Sequence, residues 1–312
     1  MAQFFSAVTA VAVILALVLT GVFCGWRGWM KPADKNFCVK VVINIGIPAM
    51  CLSNMLTQVD LALLRECGVL VLLATADLLI MLTASLLLVK LLRIPRERAG
   101  SFVVMCAFAN SMFIGMPVCT LLFGDAATPY VLCYYIVNTV GFQSIGLFVM
   151  NYFGAKGGRP SWKKMVKGMV RPPLIAILVA LVMVAGGWTF PTMIMTWLKY
   201  LGNLVTPLAL IYSGYILYEN GVKSLRLAGT HWVVMLFRFG VSPVLMSLLC
   251  RATGVGALAA QVLTIEIAMP VMTQTVVFAA DTGEDEQYAL VGMASTTLAC
   301  FLVIPILMTL FC

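Results

Sequence analysis

Residues 99–124 read AGSFVVMCAFANSMFIGMPVCTLLFG, and residues 263–280 read LTIEIAMPVMTQTVVFAA. Both run apolar for close to the ~20 residues that a helix needs to cross a membrane. Both are also interrupted near the middle. The first carries Asn110, Ser111, Gly115 and Pro117 there, and the second carries Met269, Pro270, Thr273 and Gln274. Proline removes a backbone donor and clashes with the preceding turn. A carbonyl freed inside hydrocarbon is tolerated only where protein or a watery cavity satisfies it. Two such interruptions predict two broken helices facing a cavity, with half-helix N-termini aimed at an anion such as a carboxylate.

The rest of the chain belongs to the same solvent. Of 312 residues, 62% are hydrophobic and 10% are charged, against about 25% charged in a soluble domain. One water-soluble core stops growing near ~250–300 residues, so this apolar content implies an integral membrane protein. That excludes a soluble enzyme, a nucleic-acid binder, a disulfide scaffold and a disordered chain. A porin-type barrel is excluded as well, because its strands would alternate apolar and polar residues. The fold predicted is all-α and polytopic, with ten spans near 5–25, 37–57, 67–90, 99–123, 129–153, 172–190, 193–218, 231–250, 256–280 and 287–311. The N-terminus lacks the basic n-region of a signal peptide, so the first span is expected to be retained.

Charge orients the spans. The loops after the odd spans hold Arg27, Lys31 and Lys35; Lys90, Arg93, Arg96 and Arg98; Lys156, Arg159, Lys163, Lys164, Lys167 and Arg171; then Lys223 and Arg226. The loops after the even spans hold Arg65 and Arg251. Lys and Arg accumulate on the cytoplasmic side, so the odd loops read as cytoplasmic and both termini as outside. The acidic run Asp281, Glu284, Asp285, Glu286 falls on the same side. The ten cysteines show no C-x-x-C spacing, and Cys51, Cys106, Cys133 and Cys300 read as small buried hydrophobes. The tryptophans lie near span ends, as an aromatic belt would.

Ten spans divide into five and five, which forces the halves into opposite orientations. Residues 1–153 form the first repeat, 154–171 a basic cytoplasmic connector, and 172–312 the second repeat. In the second span of each half, an asparagine precedes a proline by four residues: Asn44 before Pro48, and Asn203 before Pro207. The fourth spans match through Pro117 and Pro270. An inverted repeat of this kind is a transporter architecture with its site at mid-membrane.

Charges at mid-membrane cost ~2.5–3.5 kcal/mol each on insertion scales, so they are functional candidates. Asp77 lies near the centre of the third span, and Glu266 lies four residues before Pro270. Each could carry a proton. Alternatively, with oxygens from Asn110, Ser111, Asn138, Thr139, Thr273 and Gln274, they could ligate Na⁺. The bland alternative is a structural carboxylate paired with Lys40, Arg238 or a helix end. Arg238 reads as a snorkelling or ion-paired side chain, or as an attractor for the anion. Lys40 and Lys199 read as interfacial. His231, the only histidine, reads as an interface anchor.

The run Asn110-Ser111-Met112-Phe113-Ile114-Gly115-Met116-Pro117, followed by Gly124-Asp125, resembles the fourth-helix N-x-x-x-x-G-x-P motif of the auxin efflux carrier family. Met269-Pro270, Thr273, Val277-Phe278-Ala279, Pro305, Pro48 and Pro207-Leu208-Ala209 are similar to other helices of that family, so the resemblance covers nearly the whole chain. It implies a scaffold domain and a transport domain, crossed helices four and nine at the site, and elevator-type movement. The family includes plant auxin exporters and bacterial permeases for malate- or malonate-type acids. Glu266-Ile267-Ala268-Met269 also resembles the E-x-x-M of bacterial bile-acid sodium symporters, which share the crossed-helix fold and whose glutamate helps bind sodium. Pro270 departs from that pattern, where a glutamine is usual.

The expected protein is therefore a secondary transporter, not an enzyme. No G-x-x-x-x-G-K-[ST] loop supplies a nucleotide engine. Its substrate is a small organic anion such as a mono- or dicarboxylate, bound by Asn110, Ser111, Gly115, Pro117, Asn138, Met269, Pro270 and Thr273. Coupling runs through Asp77, Glu266, Asn110, Thr139 and Gln274, by H⁺ or Na⁺, with sodium placed at Glu266, Asn110 and Ser111. No other cofactor is expected. Other expected partners are membrane lipid and a second copy in a homodimer, with no nucleic acid. The location expected is a bacterial inner (plasma) membrane. The rival readings are a sodium symporter of bile-acid-like anions and a non-transporting membrane sensor.

Overall fold

The computed structural model describes residues 13, 16–58, 68–155, 172–220 and 226–311, and their regular structure is helical apart from one isolated β-bridge. The helices are α1 (Ala16–Trp26), α2 (Pro32–Thr57), α3 (Gly68–Leu91), α4 (Arg96–Ala107), α5 (Met116–Phe123), α6 (Thr128–Phe153), α7 (Pro172–Gly186), α8 (Thr192–Glu219), α9 (Gly229–Thr253), α10 (Ala257–Ile267), α11 (Gln274–Thr282) and α12 (Glu286–Phe311). Among the described residues, α2, α3, α6, α8 and α9 are long and apolar enough to cross a membrane. The pair within α12, bent by 56°, makes a sixth if it is one span. Residues 5–12, 14 and 15 of the first expected span, residues 156–171 of the expected connector, and the loop residues Arg65 and Lys223 lie outside the described residues.

Proline shapes the interior of several helices. Wider π turns stand at Val42–Gly46, Ser111–Gly115 and Phe237–Val241, each ending two residues before Pro48, Pro117 or Pro243. A proline cannot donate to the carbonyl four residues back and its ring crowds it, so the backbone widens there. A fourth π turn, Phe142–Gly146, has no such proline. There the Ser144 hydroxyl donates to the Val140 carbonyl at 2.6 Å and competes for the helix's own acceptor.

Packing separates two bundles. Helices α7 and α8 pack densely on α2. Glycines let α1 approach α8: a Cβ on Gly21 would overlap the Ile211 carbonyl, and one on Gly214 would overlap the Val18 carbonyl. Small residues at such contacts are how membrane helices associate without a hydrophobic driving force. The second bundle holds α3, α4, α6 and α9 to α12, with α5 packed on α6 and α10. The bundles meet where α8 and α2 touch α11 and where α8 touches α12.

One end of the molecule is tied by polar contacts. Lys35 pairs with Glu219 at 2.9 Å and with Glu286 at 2.7 Å, and the Tyr212 hydroxyl donates to Glu286 at 2.5 Å. Arg98 pairs with Asp285 at 2.7 Å, and Arg96 donates to the Tyr152 and Phe153 carbonyls. These contacts place the connections after α1, α3, α6, α8 and α11 at a single end. Glu284 is buried there beside α4. The Ser101 hydroxyl donates to its carboxylate, and a Cβ on Gly100 would fill the slot it occupies. Burial pushes the Glu284 carboxyl up to about 8, against the opposing Ser101 hydrogen bond.

Two side chains depart from expectation. His231 is 2% exposed rather than an interface anchor. Its Nδ1 accepts the Ala228 N–H at 2.9 Å, and its Nε2 lies 3.0 Å from the Tyr288 carbonyl, so α12 covers a position that hydropathy alone leaves at the surface. Cys133 is disulfide-bonded rather than a simple buried hydrophobe. The tryptophans follow expectation: Trp26, Trp29, Trp188, Trp197 and Trp232 are exposed near helix ends, while Trp162 is outside the described residues.

Two outcomes follow. Gly214→Ala lowers the thermal midpoint in detergent, on the ~1–3 kcal/mol scale of overpacking. Gly68→Ala, whose added carbon meets open space, leaves the midpoint level or raises it; equal responses contradict the packing. Glu284 holds its proton more tightly folded than unfolded, so its contribution is complete below about 4.5 and is lost as pH rises through about 8. Unfolding midpoints between pH 5 and 9 should fall less for Glu284→Gln than for the native chain. Parallel pH curves contradict the assignment.

Candidate functional site

The two interrupted segments meet. After α4 ends, Phe108 is extended, and Ala109 forms an antiparallel bridge with Val271. The Asn110 N–H donates to the Pro270 carbonyl at 2.8 Å. Proline at 270 offers a carbonyl but no donor, so the crossing is held from one direction there, and the Val271 N–H turns to the Thr296 hydroxyl at 3.1 Å. Asn138 of α6 supplies what a missing strand would. Its Oδ1 accepts the Ala109 N–H at 3.0 Å, and its Nδ2 donates to the Ala109 carbonyl at 2.8 Å and to the Ser111 hydroxyl at 3.3 Å. Unpaired backbone groups in hydrocarbon cost several kcal/mol each, so these side-chain bonds make the break tenable.

Arg238 completes the satisfaction from behind. It is fully buried, which rules out the snorkelling expected of it. Its guanidinium donates to the Met269 carbonyl at 2.7 and 3.1 Å, the Ile267 carbonyl at 2.5 Å and the Cys106 carbonyl at 3.4 Å. Those carbonyls end α10 and α4. A cation suits the negative ends of both half-helices, and the planar fork of five donors suits several acceptors at once. Asp77 is the nearby counter-charge. It accepts the Ser242 hydroxyl at 3.3 Å and lies within electrostatic reach of Arg238, without a direct ion pair among the described residues.

Away from Arg238, the crossing opens on a cavity of about 20 Å³, lined by Asn110, Ser111, Thr139, Thr273, Gln274 and Tyr135 together with Met50 and Met272. That is the room one water or one small ion occupies. Ser111 opens the turn into α5, and Thr273 and Gln274 open α11, so the positive ends of both second half-helices border the cavity. Asn110 Nδ2 and Gln274 Oε1 are buried and lack hydrogen-bond partners. Both residues line the cavity, so an unpartnered donor and an unpartnered acceptor belong to its wall. Met50 belongs to α2, so the cavity lies between the bundles.

Glu266 stands apart from that cavity. It is fully buried, and neither carboxylate oxygen has a partner stronger than a thiol. The Cys119 thiol, a weak donor, faces it. Gly115 makes the space: a Cβ there would overlap the Glu266 carboxylate.

The structure thus divides the residues singled out by sequence. Asn110, Ser111, Thr139, Thr273 and Gln274 share the cavity. Asn138, Met269 and Pro270 build the crossing, the first through its side chain and the others through carbonyls. Gly115 and Glu266 pack together in a separate place, and Asp77 sits with Ser242 near Arg238. Pro117 opens α5 just after the π turn. Sequence reasoning missed Met50, Tyr135, Met272, Thr296 and the capping role of Arg238. Tyr135 was within reach, since Tyr135 and Thr139 are four apart on one face of α6.

Residues 6–308 match a family model described as membrane transport protein. An uncharacterized transporter of Methanocaldococcus jannaschii is 26% identical over 274 residues, which are 86% of either chain. An uncharacterized transporter of Methanothermobacter thermautotrophicus is 27% identical over 215 residues, 69% of either chain.

The Gly115–Glu266 contact predicts a coupled response. Gly115→Ala costs about 1–3 kcal/mol in unfolding measurements on its own. In a Glu266→Ala background it costs less than about 0.5 kcal/mol, the scale at which independent sites add. Equal costs in both backgrounds break the link.

Proposed function

This chain belongs to the auxin efflux carrier family of membrane transport proteins, and from that premise we propose that it is an elevator-type secondary transporter of a small organic anion, such as a mono- or dicarboxylate. The single observation that carries the proposal is the cavity between the bundles. It is bordered by two half-helix N-termini, with Asn110 Nδ2 and Gln274 Oε1 left without partners. Helix N-termini attract anions because their N–H groups and dipoles point outward. At about 20 Å³ the cavity holds less than an organic anion, so binding requires the bundles to part there.

In this reading α3 to α6 and α9 to α12 carry the site, and α1, α2, α7 and α8 form the scaffold. Ten spans in two inverted repeats, with both termini outside a plasma membrane, belong to the same proposal. The matching breaks of the fourth and ninth segments and the single end shared by five connections support it. Asn110, Ser111 and Thr273 contact the anion, while Asn138, Met269 and Pro270 hold the crossing. Glu266 couples transport to H⁺ or Na⁺. A fully buried carboxyl without a strong donor is costly unless a proton or a cation accompanies it. Asp77 tunes this through Arg238.

Proteoliposome uptake of short mono- and dicarboxylates under imposed Na⁺ or H⁺ gradients tests the proposal. Asn110→Ala should lower saturable uptake at least tenfold with an unchanged elution profile and thermal midpoint. Glu266→Gln should remove gradient dependence while leaving exchange. Near-native uptake by Asn110→Ala, or unchanged gradient dependence in Glu266→Gln, rejects the corresponding role.

A further inference from the structure

Two apolar grooves flank the basic end of α3. One, of about 390 Å³, lies between α3 and α6 and is lined by Leu86, Val89, Phe148, Tyr152 and Phe153. The other, of about 600 Å³, lies between α3 and α9 and is lined by Ala84, Leu87, Leu88, Leu91 and Phe237. Lys90 lines both. It stands in the last turn of α3, so a single exposed cation separates two apolar channels at the end of the bundle where the basic loops gather.

The charges around it are not all committed. Arg96 is held by the Tyr152 and Phe153 carbonyls and lies over the Tyr152 ring, and Arg98 is paired with Asp285. Lys90 and Arg93 are exposed and have no acidic partner among the described residues. Arg93 also holds a left-handed backbone, φ 51°, where the Ile94 N–H closes onto the Val89 carbonyl. Glycine is the favoured residue at such a helix end. A cation thus stands where the backbone would accept glycine more readily.

We propose that this face is a binding site for an anionic phospholipid, with its phosphate between Lys90 and Arg93 and one acyl chain in each groove. The geometry suits that ligand better than a soluble anion, which would leave both grooves uncovered. It suits it better than a zwitterionic lipid, whose ammonium group gains nothing from two adjacent cations. Juxtamembrane cations each favour anionic lipid, and two together give about a 30-fold preference over a zwitterionic lipid. The site is independent of the substrate cavity and of the transport reading.

The full chain, delipidated in detergent, is titrated with phosphatidylglycerol, phosphatidylcholine or glycerol phosphate. Thermal midpoint and lipid retained in native mass spectra are read together. Phosphatidylglycerol should raise the midpoint at about 30-fold lower concentration than phosphatidylcholine and remain bound as a one-to-one adduct. Lys90→Gln combined with Arg93→Gly should abolish the difference. Because glycine relieves the backbone at 93, this variant folds at least as well as the native chain, and Arg98→Gln should keep the lipid preference. Ala84→Phe, which fills the α3–α9 groove, should weaken retention. Equal potency of the two lipids overturns the proposal, as does a preference that survives the double variant. The same shift from glycerol phosphate assigns a soluble-anion site, and a shift accompanied by dimer mass assigns the face to a second copy; each overturns it too.

Discussion

The backbone of a membrane-spanning helix cannot be interrupted unless something else satisfies the groups that the interruption frees. That constraint organises this structure. Two segments break at the same place, and their carbonyls and N–H groups must be met without water. Part of the answer is mutual, through the Ala109–Val271 bridge and the Asn110–Pro270 bond. The rest comes from side chains: Asn138 beside Ala109, Thr296 beside Val271, and Arg238 across three carbonyls. Each of these side chains meets a backbone group, Asn138 as donor and acceptor, Thr296 as acceptor and Arg238 as donor, so the crossing is a knot of hydrogen bonds and not a loose loop.

The knot also separates charge. Arg238 occupies the side where half-helices end and their dipoles are negative. The cavity occupies the side where half-helices begin and their dipoles are positive. A buried cation and an anion-attracting cavity are therefore consequences of the same crossing. Glu266 exploits a third space, opened by Gly115, where its carboxyl sits without a strong donor. The cavity lies against Met50 of α2, at the seam between bundles. The Lys35–Glu286 pair and the Tyr212–Glu286 bond span the same seam at one end. Sliding of one bundle along the other would open the cavity and break that latch together.

Much of this was legible in sequence because membrane physics leaves few choices. Long apolar runs marked the helices, and Pro117 and Pro270 marked the breaks, since proline in hydrocarbon demands compensation. Asn110, Thr273 and Gln274 were legible because polar residues beside such breaks face a cavity. What supplies the compensation was not legible. Arg238 lies 132 positions from Cys106 and about 30 from Ile267 and Met269, and near a span end a lone arginine reads as snorkelling. His231 misled for the same reason, as its covering helix is far along the chain. Met50 was missed because an apolar residue carries no signal of the bundle that it faces.

The central claim is that the bundle carrying the crossing moves as a unit against the bundle built on α2. Its most direct measurement is uptake by a chain bearing Lys35→Cys and Glu286→Cys, with Cys24 and Cys38 replaced by Ala. The two thiols are joined by a short cleavable bis-thiosulfonate linker. The account predicts that linking stops uptake and that reduction restores it, while a matching link between positions 98 and 285, inside the moving bundle, leaves uptake intact. Undiminished uptake with the Lys35–Glu286 seam fully linked would contradict it.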